Sequence, residues 1–336
     1  MGDSHTKPGD GTDADDANAD DALEIRRATL EDQDAVVELT SDIWTDRGGD
    51  YLQYVYPDWL EDPDDDHKRT FLVDASGSDG DGDVAVAGLV QAVVLSPDEA
   101  WFQGLRIHRD YRRRGLSRRL NRACFDWARE RGATVGRLMI FSWNAPALGA
   151  SRSAGYEPAT EFRWAHPAPD PDASGPDSVS TADNAARAWR SWSQSAARDH
   201  LQGLALDPDE SWALRELSRT DLVHFAADEG VFTVDRPSGV AGVSYRNRTY
   251  DRETEAGDTE HWVEYGVSAW DDVDAARSLF AAIARDAARL EADRTRVLIP
   301  ETVDAVSDAS FAGAPISDEP DFVLEVDLSG SRGQVE

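Results

Sequence analysis

The chain has 336 residues, more than one domain of ordinary size needs and comfortable for two. It carries 66 acidic against 34 basic residues, a net charge of −32, which excludes a general affinity for nucleic acid, since that binding rests on cationic side chains meeting phosphates. No run of about 18 apolar residues exists to cross a membrane as a helix, and no apolar stretch follows a basic start as in a secretory leader, so a soluble cytoplasmic protein is expected.

Residues 1–22 are mostly Asp, Gly, Ala and Thr, bury almost nothing, and read as a disordered acidic tail. Leu23–Ala28 reads as a strand. Thr29 or Glu31 opens a helix with Val36, Val37, Leu39 and Ile43 on one face. Tyr51–Leu60 is a short aromatic segment of helical character. Three strands follow, Thr70–Ala75, Val84–Leu95 and Ala100–His108, with a Gly- and Asp-rich turn over 77–83 between the first two. Leu116, Leu120, Ala123, Cys124 and Trp127 recur at helical spacing and predict a helix over Leu116–Arg131, bracketed at its end by Gly132 and Gly136. Cys124 is the only cysteine, so no internal disulfide can form, and its place in the pattern is that of a small packing residue. A strand over Arg137–Trp143, a short helix over Asn144–Ala154 and a strand over Tyr156–Trp164 close a first domain, 23–166.

Pro167, Pro169, Pro171 and Pro176 among Asp, Ser and Gly then mark a linker, 167–185. A second domain, 186–330, begins with a helix over Ala185–Leu204 and afterwards echoes the first. Trp212–Leu217 then Thr220–Ala227 repeats strand then helix. Strands over Val231–Val234, Gly239–Arg246 and His261–Trp270 lead into an amphipathic helix over Asp271–Ala292, and strands over Val297–Pro300 and Phe322–Leu328 follow. The order suggests a diverged internal duplication.

The chemistry concentrates in Trp101–Leu120. A strand ends at His108, the chain turns through Arg109, Asp110 and Tyr111, and Arg112-Arg113-Arg114-Gly115-Leu116-Ser117 runs straight into a helix. Backbone N–H groups at a helix start lack partners and point toward any bound anion. Gly115 allows close approach of the backbone, and Ser117 can donate or cap. Eight arginines, from Arg106 to Arg122, fall within 17 residues. They form a basic island in a strongly acidic chain, suited to a ligand with several phosphates because arginine pairs with phosphate through two parallel bonds. Arg118, Arg119 and Arg122 fit a solvated helix face equally well. Elsewhere lysine occurs only at Lys7 and Lys68. Acid spread along the whole chain with lysine nearly eliminated points to a salt-rich cytoplasm, where a Debye length of about 3 Å at 1 M screens the self-repulsion.

The segment Leu105–Leu120 resembles the acetyl-CoA motif of the GNAT superfamily of N-acetyltransferases, Gln/Arg-x-x-Gly-x-Gly/Ala after a strand, and the strand–helix order over roughly 23–166 is similar as well. Arg112 takes the first motif position, Gly115 the second, and Ser117 stands where Gly or Ala is usual. The resemblance implies a GNAT fold, a mixed and mostly antiparallel α/β sheet flanked by helices, here in tandem. It implies that the backbone of Leu105, Arg106 and Ile107 pairs with the pantetheine arm of acetyl-CoA, and that Arg112, Arg113, Arg114, Gly115, Leu116 and Ser117 hold the diphosphate. Asn144-x-x-Ala147 followed by Gly155-Tyr156 is similar to a second family element, which implies that Asn144 contacts the cofactor. Seven residues on, where the family often has a tyrosine that protonates the leaving thiolate, stands Ser151, a poor acid.

The stretch Ser41–Asp62 with Gly104-Leu105-Arg106 resembles the histidine N-acetyltransferase group, which implies a free amino acid or similar small amine as acceptor and puts Asp50 and Tyr51 in its binding region. Trp44, Tyr51, Tyr54 and Trp59 could equally be core aromatics. Asp50 is also the candidate to take the amine proton, since Gln103, where some family members carry glutamate, cannot act as a base. A non-catalytic acyl-CoA-binding or regulatory module would fit the same loop. The seven histidines show no metal spacing, and no metal is expected. Where the second domain should have its phosphate loop, Asp271-Asp272 stands with no glycine after it, so one cofactor site per chain is expected.

Overall fold

The computed structural model describes residues 23–45, 48–61, 67–76, 84–181, 185–254 and 257–330; the acidic tail and the turn at 77–83 lie outside the described residues. The chain forms two units. One runs to Gly136 and takes the chain back at Leu328; the other is Arg137–Asp327.

In the first unit β1 (Glu24–Arg27), β2 (Lys68–Asp74), β3 (Val86–Val94) and β4 (Glu99–Ile107) form an antiparallel sheet in chain order. β3 is buried along nearly its whole length, as an apolar run broken only by Gln91 requires. The helices are α1 (Gln33–Thr40), α2 (Leu52–Trp59) and α3 (Leu116–Glu130). Val36, Leu39, Leu52, Tyr56, Trp59, Leu72 and Leu89 make a core between α1, α2 and the sheet. α3 packs against β2, β3 and β4 through a stripe that includes Leu116, Leu120, Cys124 and Trp127. Burial pushes the Cys124 thiol far up, so it stays a neutral packing group. The expected helix through Ile43 stops short, at Thr40. The Thr40 hydroxyl bonds back to Val36 O and Val37 O and the Ser41 hydroxyl to Glu38 O, and the carbonyls of Val37 and Glu38 are ones a longer helix would use.

In the second unit β5 (Val135–Phe141), which the division cuts, leads a sheet of order β5-β14-β6-β13-β12-β11-β10-β7. Its strands are β6 (Glu157–Ala165), β7 (Ser178–Thr181), β10 (Val231–Arg236), β11 (Gly239–Glu253), β12 (Thr259–Trp270), β13 (Arg294–Pro300) and β14 (Asp321–Asp327). β10 pairs antiparallel with β7 and β11, β11 with β12, and β6 with β13 and β14, while β12 and β13 run parallel. β14 lies between β5 and β6, and β6 lies between β14 and β13, so the late strand sits among early ones and the early strand among late ones. The helix α8 (Val273–Arg289) buries Ala276, Leu279, Phe280 and Ile283 against the strands.

Three expectations change here. The segment read as linker carries β7, which pairs with β10. The single helix expected over Ala185–Leu204 is two, α5 (Ala185–Ser193) and α6 (Ala196–His200), with Ser195 capping the second through Arg198 N, and the chain goes on as β8 (Leu204–Leu206) paired with β9 (Leu214–Glu216). A further helix, α9 (Val303–Phe311), was not expected; it is preceded by α4 (Ala145–Ser153) and α7 (Arg219–Ala227) in chain order. Its Val303 and Phe311 are exposed, which breaks the apolar stripe that marks a helix in sequence.

The same three-residue device frames the entrance of α1 and of α7. Arg26 donates through its terminal nitrogens to Asp32 (2.9 and 2.6 Å), and Asp32 accepts from Thr29 N. Arg215 donates likewise to Asp221 (3.0 and 2.8 Å), and Asp221 accepts from Ser218 N. In each case the arginine Nε–H reaches a further aspartate, Asp74 at 2.7 Å and Asp207 at 2.8 Å. The Arg26 guanidinium holds the Asp32 carboxyl below its ordinary range.

Candidate functional site

β4 follows β3 in register up to Gln91↔Gln103, then gains a residue, so that Leu89 pairs with Arg106. This bulge turns on Gly104, whose φ is +66°. A Cβ there would lie 2.1 Å from the Trp59 ring, so both the backbone angle and the close approach of Trp59 demand glycine. The bulge re-aims Leu105, Arg106 and Ile107, all half-buried. Gln103 donates to Gln91 Oε1 at 2.7 Å, and Gln91 donates to Trp59 O and to Thr70 Oγ1. Gln103 is therefore part of a structural amide chain.

Beyond β4 the chain makes a short 3-10 turn, Arg109–Tyr111, and enters α3. Arg112, Arg113, Arg114 and Gly115 are exposed, Leu116 is buried and Ser117 is half-buried. Arg113 (φ +63°) and Gly115 (φ +77°) both take the left-handed region, which winds the loop back over the helix start. Gly115 is the N-cap, so no side chain satisfies the first N–H groups, and no acidic residue occupies the first turn. A Cβ on Gly115 would meet no atom within 4 Å. The Ser117 hydroxyl is buried with no hydrogen-bond partner among the described residues. Arg112 reaches back to Ile107 O and Arg114 lies 5.0 Å from the Tyr111 ring. Of the arginines that fitted a solvated face, Arg118 and Arg122 are exposed, while Arg119 donates to Leu23 O.

Asp50 precedes α2 and is 1% exposed. One of its oxygens accepts from Arg106 Nε at 2.6 Å, and the other accepts from Arg106 NH2 and from Leu52 N. To take a proton from an amine it would first have to release the guanidinium. Arg106 lies over the face of Trp44 at 4.3 Å and 5.7 Å from the Tyr51 ring. The aromatics of this stretch divide. Tyr56 and Trp59 are core, whereas Tyr51 is 43% exposed and Tyr54 more so.

In the second unit Asn144 is the N-cap of α4 and accepts from Ala147 N at 3.3 Å. The Asn-x-x-Ala spacing is thereby a cap and the N–H it satisfies. Ser151 lies inside α4 and is 5% exposed.

Residues 34–156 match the family model for the acetyltransferase (GNAT) family. The chain carries a GNAT acetyltransferase domain. By class it is an N-acetyltransferase, and enzymes of this family transfer acetyl from acetyl-CoA to amines. Among solved structures it is similar to a GCN5-related N-acetyltransferase from Sphaerobacter thermophilus, with 12% identity, 91% of this chain and 96% of that one covered, and a TM-score of 0.52. It also matches the ribosomal-protein-S18-alanine N-acetyltransferase from Escherichia coli, with 20% identity, 42% of this chain and 81% of that one covered, and a TM-score of 0.34. At such identities the first likeness speaks for the fold. No curated protein matches the sequence.

Acetyl-CoA is the cosubstrate of this family, and the head of α3 in the GNAT domain fits its diphosphate. A bare N-terminus on a helix of 15 residues, an unpartnered buried hydroxyl and open room above Gly115 are what an anion needs there. The start of α8 is the opposite case. Its N-cap Asp272 accepts from Ala275 N and is clamped by two bonds from Arg236, which hold the carboxyl well below its usual range. Among the described residues no cluster of three metal-ligating side chains occurs, and no helix is long and apolar enough to cross a membrane.

Sequence reasoning missed two groups. One is the Arg106 side chain with Trp44, because only the Arg106 backbone had been assigned. The other is Glu264, fully buried on β12, which accepts from Arg296, Arg248 and Asn247 while Arg296 stacks on Trp164 and Trp212. Its signal was the single acid in the apolar run Trp262–Trp270.

Proposed function

We propose that the chain transfers acetyl from acetyl-CoA to the primary amine of a small molecule, with a free amino acid as the acceptor that the resemblance over 41–62 and 104–106 favours. The observation that carries this is the uncapped, acid-free start of α3 directly after the β4 bulge. Backbone N–H groups of Arg112–Ser117 and the Ser117 hydroxyl would hold the diphosphate, and the backbone of Leu105–Ile107 the pantetheine arm. Acetyl-CoA supplies the activated acetyl group as a thioester. Strand N–H groups at the bulge polarise the carbonyl as its oxygen gains charge, and holding amine and acyl carbon together supplies much of the rate. The amine arrives neutral or loses its proton to water, because Gln103 is an amide and both Asp50 oxygens are engaged. Ser151 stands at the position of the family's acid, and a thiolate leaves without one.

We further infer that the halves are a tandem GNAT pair, 23–166 and 186–330, that have exchanged their last strands. The repeated Arg-Ser/Thr-Asp device and the interleaving of β6 and β14 support this. Exchange of β14 would also place the boundary between the two units inside β5 and not in the proline-rich stretch. The acidic surface suits a salt-rich cytoplasm. The test is thiol release from acetyl-CoA in multimolar KCl over a panel of amino acids and small amines. Release that depends on an amine supports acetyl transfer. Acetyl-CoA binding without turnover across the panel overturns it in favour of a non-catalytic acyl-CoA-binding module.

A further inference from the structure

We infer that the Arg106 guanidinium recognises a carboxylate on the acetyl acceptor, an inference that rests on the acetyl-transfer function proposed above. Arg106 has five N–H groups. Nε and NH2 each give one to Asp50, and NH1 gives one to Leu105 O. One N–H on each terminal nitrogen has no partner among the described residues. Asp50 takes the Nε side of the guanidinium, and the N–H groups left over belong to the fork of its terminal nitrogens. That fork matches the two oxygens of one carboxylate through parallel charge-assisted bonds.

The surroundings hold the fork in place. Asp50 has no exposed side-chain surface and the Arg106 side chain has 10%, so the pair is almost out of water. A desolvated pair is costly while some of its N–H groups lack partners, and a ligand carboxylate would supply them. Trp44 covers one face of the guanidinium, held in a left-handed conformation (φ +54°) that costs a non-glycine residue about 1–2 kcal/mol. Tyr51 flanks it and is partly open to solvent. Asp50 already neutralises Arg106, so the group is tuned for one added anion of fixed shape and not for a general field. The bulge at Gly104 sets Arg106 beside the strand backbone that would hold the thioester arm. An amine whose carboxylate is fixed there is brought to the reacting carbon.

The same fork could meet a phosphate of the cofactor, and the test separates the two sources. Steady-state kinetics on the full chain in multimolar KCl would compare an accepted amino acid with its carboxamide, varying acetyl-CoA separately. The wild-type protein is expected to favour the acid over the amide by roughly tenfold or more. Arg106→Gln is expected to raise KM for the acid by a similar factor and to raise KM for the amide and for acetyl-CoA far less. Equal losses for acid and amide would make Arg106 merely structural and overturn the inference. A rise confined to KM for acetyl-CoA would assign the fork to the cofactor and overturn it too. If Arg106→Gln misfolds because Asp50 is left unpaired, Asp50→Asn/Arg106→Gln keeps a neutral hydrogen-bonding pair, and the acid-to-amide ratio of the wild-type protein decides independently. Turnover with no preference for the acid sinks this inference alone, whereas no turnover with any amine sinks the transferase proposal and this one with it.

Discussion

Replacing Gly115 with alanine separates a loop needed for folding from one needed for binding. An alanine at φ +77° must take the left-handed region, which costs about 1–2 kcal/mol. The added methyl meets no protein atom within 4 Å, so no steric cost joins it. At about 2–4 °C per kcal/mol, Tm should fall by only a few degrees. The methyl would, however, stand in the room above the α3 N–H groups. A phosphate seated on them would be pushed away, and acetyl-CoA affinity should drop by roughly tenfold or more, about 1.4 kcal/mol upward. Calorimetric titration in multimolar KCl, with melting curves alongside, reads both quantities and should give one acetyl-CoA per wild-type chain. A variant that melts within a few degrees of the parent and still binds acetyl-CoA as tightly would refute the placement of the diphosphate at Gly115.

Gly104→Ala should behave in the reverse manner. It combines the left-handed cost with a Cβ 2.1 Å from the Trp59 ring, for a loss of about 3 kcal/mol or more in urea denaturation, and losses equal to those of Gly115→Ala would contradict the bulge. Asp321→Asn tests a buried carboxyl that burial pushes up to about 6, although Trp164 Nε1 donates to it at 3.0 Å. An unfolded aspartate titrates near 3.9. Between about pH 4 and 6 the folded protein therefore keeps a proton that the unfolded chain has lost, and this group's contribution falls as pH rises through that window. The variant should match its parent near pH 4 and be more stable by about 2–3 kcal/mol at pH 7; melting curves from pH 4 to 8 that ran parallel would count against it.

What could be read in advance was what short-range periodicity encodes. α3 matched to within a residue because Leu116, Leu120, Cys124 and Trp127 repeat at its period and glycine marks both ends. The glycine-led start of α3 was legible because glycine, helix start and arginines coincide in nine residues of chain. Ile43 and the Ala185–Leu204 helix misled because hydroxyl bonds at Thr40, Ser41 and Ser195 end helices where the apolar pattern continues. The neighbours of β6 and β14 are separated by more than a hundred residues, and no local pattern carries such pairing. The Arg106–Asp50 pair spans 56 positions for the same reason.

The two long helices that follow strands β4 and β12 meet one physical requirement in opposite ways. Each begins with N–H groups that need acceptors. α8 supplies its own, Asp272, and anchors that carboxylate with Arg236. A phosphate there would face an ionised aspartate and find the donors spent. α3 begins on a glycine in the left-handed region and leaves its first donors without a side-chain cap. Yet the device that opens both halves, Arg26-Thr29-Asp32 and Arg215-Ser218-Asp221, is retained bond for bond. On the tandem reading, the shared device therefore belongs to folding, where both halves need it, and the bare helix start belongs to binding, where one half suffices. The difference turns on the N-cap residue, Gly115 in one helix and Asp272 in the other.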